Sequence, residues 1–164
     1  MLYQKELEIA EEQIEVTKKN LSKLQKSNRR KMDQFFHKEH DKAFDKVDCL
    51  SCGNCCKTTS PIFRDIDVKR LSKKLRISEK KFISDYLRRD EDEDYVLKNS
   101  PCIFLEDDNS CGVYKDRPLA CKEFPHTDRK NMFQISDLTV SNSLVCPAVS
   151  LIVQKLNASY EKDS

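Results

Sequence analysis

Cys49-Leu-Ser-Cys52-Gly53-Asn-Cys55-Cys56 sets four thiols within eight consecutive positions. Thiolates are soft ligands for zinc, iron and iron–sulfur clusters, and repeated Cys-x-x-Cys spacing lets one turn of backbone aim several sulfurs at a point. Four more, Cys102, Cys111, Cys121 and Cys146, bring the total to eight in 164 residues. Metal binding is the reading this pattern supports. Four disulfides are the alternative use, and they require export to an oxidising compartment. The chain opens Met1-Leu-Tyr-Gln without a basic start and apolar run, and it holds no stretch of about 18 apolar residues. A soluble, cytoplasmic protein with no membrane partner is therefore expected.

Composition agrees with a metal-stabilised fold. Hydrophobic residues make up 38% of the chain and charged residues 35%, so the apolar core is thin. A structural metal adds on the order of 10 kcal/mol to a folded state, because the assembled site scarcely exists in the unfolded chain. Net charge is only +2, too little to imply a polyanionic partner by itself.

Outward from the cysteine run, the N-terminal side has no Gly or Pro between Leu2 and Val47. Tyr3, Leu7, Ala10, Ile14, Thr17, Leu21 and Leu24 recur at alternating spacings of four and three, the heptad seam of one long amphipathic helix or coiled coil. Thr17, Asn28 and Lys31 weaken that seam, and Met32, Phe35, Phe36, Ala43, Phe44 and Val47 then form a second apolar group. Glu6, Glu8, Glu11, Glu12 and Glu15 precede Lys18, Lys19, Lys23, Lys26, Arg29, Arg30 and Lys31, which complements the helix dipole and reads first as a solvated face. Self-association, or recruitment of an unidentified protein partner, is the functional reading of this helix.

On the C-terminal side, Asp65 to Leu75 reads as a short helix, and Ser78 as the N-cap of a second one carrying Phe82, Ile83, Tyr86 and Leu87. The run from Arg88 to Asp94, Arg-Arg-Asp-Glu-Asp-Glu-Asp, reads as a solvated loop. Cys102-Ile-Phe-Leu and Cys111-Gly-Val-Tyr flank the turn-forming Asp107-Asp-Asn-Ser, a hairpin pattern spanning 101–114. Arg117-Pro118 opens a helical turn containing Cys121, and Cys146-Pro147 opens a last helix burying Val149, Ile152, Val153 and Leu156. The expected architecture is α+β and mostly helical. It combines a long N-terminal helix over 1–46 with a small metal-stabilised cysteine-cluster domain over 47–164, which has a short β-hairpin and a C-terminal helix.

The ordered motifs Cys49-x2-Cys52-x2-Cys55-Cys56, Pro101-Cys102-Ile-Phe-Leu, Cys111-Gly-Val-Tyr-Lys-Asp-Arg117-Pro118-Leu-Ala-Cys121-Lys-Glu-Phe-Pro125 and Cys146-Pro147 are similar to those of the YkgJ-type cysteine cluster family, the zinc- or iron-chelating CxxCxxCC domain. The resemblance covers about residues 47–150. It implies that Cys49, Cys52, Cys55, Cys56, Cys102, Cys111, Cys121 and Cys146 all serve as metal ligands. A related domain accompanies further sequence in flagellin lysine methylases.

Coordination chemistry leaves three arrangements open for eight thiols: two tetrahedral zinc sites, one iron–sulfur cluster with a zinc, or two clusters. In a turn, Cys52 and Cys55 converge on one metal, with Gly53 permitting left-handed backbone. If the backbone there is extended, Cys55 and Cys56 point to opposite faces and serve two metals or two irons of one cluster. Cys49-x2-Cys52-x2-Cys55 matches the first three ligands of bacterial ferredoxin clusters, and Cys146-Pro147 is a remote candidate for the fourth. Iron in a cluster, with the 4Fe-4S type as one form, is preferred here over zinc.

Other side chains carry weaker signals. His126 lies near Cys121 but lacks partner spacing, so a surface histidine is the simpler reading. His37 and His40 read as solvated, because the zincin pattern needs another spacing. Arg117 has a structural role before Cys121, pairing with Asp116 or Asp65 or hydrogen-bonding to a cluster sulfur. Asp65 and Asp67 suit a helix start. With only Gly53 and Gly112 in the chain, there is no Gly-rich loop to cradle a nucleotide, and catalysis by this chain alone is not expected. The alternatives are a cluster-dependent redox or methyl-transfer accessory enzyme, and a zinc-stabilised partner- or nucleic-acid-binding module. Low net charge and absent Trp argue against nucleic acid.

Overall fold

A computed structural model describes residues 2–162. In chain order its helices and strands are α1 (Gln4–Glu12), α2 (Ile14–Ser27), α3 (Arg29–Phe44), α4 (Cys49–Cys52), α5 (Asn54–Thr58), α6 (Asp65–Leu75), α7 (Glu79–Tyr86), β1 (Leu87–Arg89), β2 (Tyr95–Leu97), α8 (Leu119–Glu123), α9 (Ser136–Ser143) and α10 (Pro147–Lys162). The fold is α+β and mostly helical, as expected. By packing, the chain divides into two units: Met1–Cys52 together with Pro125–Ser164, and Gly53–Phe124. A sequence boundary at 46/47 marks where the cysteine motif begins, whereas this division marks which apolar faces meet.

In the first unit, α10 packs on α1, α2 and α3 and buries Val149, Ile152, Val153 and Leu156, the four residues its periodicity picks out. The heptad seam faces inward: Ala10, Thr17 and Leu21 are fully buried. Thr17 is no defect in that seam. Its hydroxyl accepts a hydrogen bond from Asn157 Nδ2 at 2.9 Å, Asn157 Nδ2 also reaches Gln13 Oε1 at 3.0 Å, and Asn20 Nδ2 donates to Asn157 Oδ1 at 3.0 Å. A buried amide whose donors and acceptor are all satisfied fixes one register between helices.

The single long helix is instead three segments. Asn28 adopts extended backbone and its side chain accepts the Lys31 N–H at 3.0 Å, so the residue that weakens the heptad pattern is the N-cap of α3. The fold also corrects the reading of His40, which is half-buried: its Nδ1 is 2.7 Å from Thr127 Oγ1 and its ring packs 4.6 Å from that of Phe44. His37 is exposed, as expected, with its Nε2 2.8 Å from the Arg129 carbonyl. These contacts tie the 127–129 segment to α3.

The second unit has its own core of Phe63, Val68, Leu71, Phe82, Leu87, Leu97, Phe104 and Val113. Ser78 caps α7 as predicted, accepting the Lys81 N–H at 3.1 Å. The antiparallel hairpin lies elsewhere than expected: β1 and β2 pair Leu87 with Leu97 and Arg89 with Tyr95, and the acidic run is their turn. Asp90 Oδ1 accepts the Asp92 and Asp94 N–H groups at 3.0 and 2.9 Å, the short-range bonding that makes aspartate a turn former. Around Asp107 the expected turn forms, but its arms hold only one isolated bridge, Leu105 with Cys111. No single helix among the described residues is long and apolar enough to cross a membrane.

Candidate metal centre

Asp48 prepares the first cysteines. Its carboxylate accepts the Leu50 N–H at 3.1 Å and the Ser51 hydroxyl at 2.5 Å, with Ser51 the larger reason its pKa lies below the usual carboxylate value. Such capping stabilises the one-turn helix α4 that carries exposed Cys49 and buried Cys52. Asp48 went unnoticed in the sequence, although an aspartate just before a Cys-x-x-Cys turn is a recognisable cap signal. In the same unit, Cys146 immediately precedes α10, and its sulfur accepts the Ala148 and Val149 N–H groups. Burial pushes its thiol up to about 11, the two N–H bonds oppose that, and Cys49 and Cys52 raise it further. The Cys-Pro pair thus has a local logic, with Cys146 supplying the cap and Pro147 the first helical residue.

Gly53 has φ +58°, the left-handed conformation anticipated for it. A Cβ there would lie 2.9 Å from the Asn109 side chain as well as straining the backbone. Gly53→Ala is expected to cost about 1–2 kcal/mol, seen as a lower denaturation midpoint of the metal-loaded chain. Gly112→Ala is its control and should be nearly neutral. The added Cβ at that position meets only the flexible end of Glu106 at close range.

Cys55 and Cys56 follow on α5, so their backbone is helical rather than extended. Consecutive side chains on a helix diverge by roughly 100°, not to opposite faces. The Cys55 thiol is hydrogen-bonded to that of Cys56, and this contact, more than burial, drives the Cys56 pKa far above its ordinary value. Cys56 is also joined to the next motif through its carbonyl, which accepts the Cys102 N–H at 2.7 Å. The Cys102 sulfur accepts the Phe104 and Leu105 N–H groups, and the Cys111 sulfur accepts that of Val113. Burial raises both thiols, and each is raised further by Cys56. Cys121, on α8, is pushed up to about 12, first by burial and then by Cys56, Cys102 and Cys111.

The thiols therefore fall into sets. Cys56, Cys102, Cys111 and Cys121 act on one another in the second unit, with Cys55 bonded to Cys56, and Cys49 and Cys52 act on Cys146 in the first. Among the described residues none of these cysteines is in a disulfide, and no three His, Cys, Asp or Glu side chains close to metal-ligand geometry. The donors nonetheless fit a thiophilic metal. A cluster of partly buried thiols that oppose each other's ionisation is stabilised once a cation replaces their protons, and backbone N–H groups bond to the sulfurs of Cys102, Cys111 and Cys146. Zinc or iron bound here would supply the cross-link between chain segments. His126 is half-buried beside these motifs in sequence and has left-handed backbone, with φ +66°.

A mostly helical fold with eight thiols in such sets defines a cysteine-rich metal-chelating protein. Residues 48–146 match the CxxCxxCC family, described as a "Putative zinc- or iron-chelating domain", and the chain belongs to that family. No curated protein and no solved structure matches it.

Proposed function

We propose that this chain is a metal-binding protein in which all eight cysteines are ligands, with two centres distributed over the thiol sets. Cys56, Cys102, Cys111 and Cys121 have the number and chemistry of a tetrahedral four-thiolate site for zinc or iron. Cys55, bonded to Cys56, stands beside that centre as a fifth thiol, and Cys49, Cys52 and Cys146 contribute to a second centre, for which the Cys49-x2-Cys52 part of the ferredoxin-like run supports iron in a cluster. The observation that carries this reading is the mutual effect of four of the five thiols of the 53–124 unit, gathered from three separate motifs. Any partner or second copy that binds the N-terminal helices meets chiefly their exposed acidic and basic residues, because Ala10, Thr17 and Leu21 of the seam are already buried and its other members half-buried.

Metal and acid-labile sulfide content of anaerobically purified protein tests the proposal. Iron with sulfide, and a brown colour absorbing near ~400 nm, is the expected result. Colourless protein carrying only zinc removes the preference for iron. Reduced native protein without any metal removes the proposal.

A further inference from the structure

Arg117 stands immediately before Pro118, in the turn that leads to Cys121. Its backbone is held from outside the cysteine motif: Arg70 Nη2 donates to the Arg117 carbonyl at 2.9 Å and Arg70 Nε to that of Asp116 at 3.0 Å. Its guanidinium stacks over the Tyr114 ring, 3.8 Å from the centroid. Both ends of the residue are thus fixed. Yet its Nε–H is buried and has no hydrogen-bond acceptor among the described residues. An unanswered buried donor is costly, and native chains keep one where another group takes the bond. The groups within electrostatic reach of this guanidinium include the thiols of Cys56, Cys111 and Cys121.

We infer that Arg117 is a sulfur-binding residue of the four-thiolate centre, its Nε–H donating to a metal-bound thiolate and its charge offsetting the negative excess that four thiolates leave around a divalent ion. This rests on the proposed metal-binding role of Cys56, Cys102, Cys111 and Cys121. Chemistry supports the pairing: a metal-bound thiolate keeps acceptor capacity, and guanidinium is the cation most readily desolvated. Hydrogen bonds to ligand sulfur tune metal affinity, and losing such an outer partner costs roughly 10–100-fold.

The test loads the full chain with cobalt(II) and follows the sulfur-to-cobalt charge-transfer bands, with affinity taken from zinc competition. Arg117→Met should weaken zinc binding about 10–100-fold and shift the charge-transfer energy. Arg117→Lys keeps a cation but not the planar Nε–H, so it should recover part of the affinity and none of the band position. If Arg117→Met does not fold, Arg117→Lys decides alone. Wild-type affinity together with unshifted bands in the folded variants overturns the inference. Cys121→Ser, measured in parallel, separates the two ideas: if it too binds and absorbs like the wild type, the metal-site reading fails as well. If it loses metal while the Arg117 variants do not, only the inference falls.

Discussion

Replacing Cys121 with serine is expected to empty the four-thiolate centre and to unfold the 53–124 unit in the same titration. That unit buries eight apolar side chains in its main core, and a domain of such size rarely holds together on hydrophobic burial alone. Its cysteines come from α5, from the 102–111 loop and from α8, so one cation bound by them would replace the loop-closing contacts that the apolar core lacks. Binding energy of this kind is folding energy, on the order of 10 kcal/mol for structural zinc. Serine keeps the size of the side chain but is a poor ligand for soft metals, so the loss reports coordination rather than packing. Metal content after gel filtration, combined with hydrogen exchange over residues 53–124, reads both effects together. His126→Ala should change neither. A Cys121→Ser protein with full metal content and undiminished protection would refute the coordination model.

How much of this was legible in the chain depends on the range of each interaction. Ser78, the inward face of α10 and the left-handed Gly53 were readable because caps, helical periodicity and turn conformations are set within a few residues. The break at Asn28 is equally local, but the heptad pattern runs across it, and a capping asparagine looks like a flaw in a seam. Hairpin position was misread for a different reason. Strands of three residues carry too little alternation to recognise, whereas the better pattern around Asp107 closes into a turn with a single bridge. Eight candidate ligands could be named from the ordered motifs and the family they resemble. Their sorting into sets could not, because it depends on which distant segments pack together. For Arg117 a bond to sulfur was one of several readings, and the missing hydrogen bond that favours it is exposed only by the packed structure.

The largest effect expected outside the cysteines is at Asp67, whose side chain is fully buried. Its Oδ2 accepts the Arg64 N–H and Nε–H, both at 3.1 Å, and its Oδ1 accepts Arg70 Nη2 at 2.6 Å. Burial by itself would raise the carboxyl pKa, but the bonds from Arg64 and Arg70 prevail and hold it below the ordinary value of 3.8. Asp67→Ala leaves the half-buried Arg70 without its anion and α6 without its cap, a loss of about 3 kcal/mol, the low end for breaking a buried pair because Arg64 is largely exposed. Asp67→Asn keeps one acceptor oxygen and should lose less. Since the folded pKa is depressed, the carboxylate contributes fully above the unfolded value and its contribution fades as pH falls through the folded one. The stability gap between wild type and Asp67→Asn should therefore stay constant from neutrality down to about pH 4 and narrow only below it, with the metal's contribution common to both proteins. The consequence reaches the metal centre, because the Arg70 that Asp67 anchors also holds the carbonyls of Asp116 and Arg117. Cobalt(II) affinity measured on Asp67→Asn should fall at neutral pH although no ligand has changed, whereas an unaltered affinity would confine Asp67 to the helix it caps.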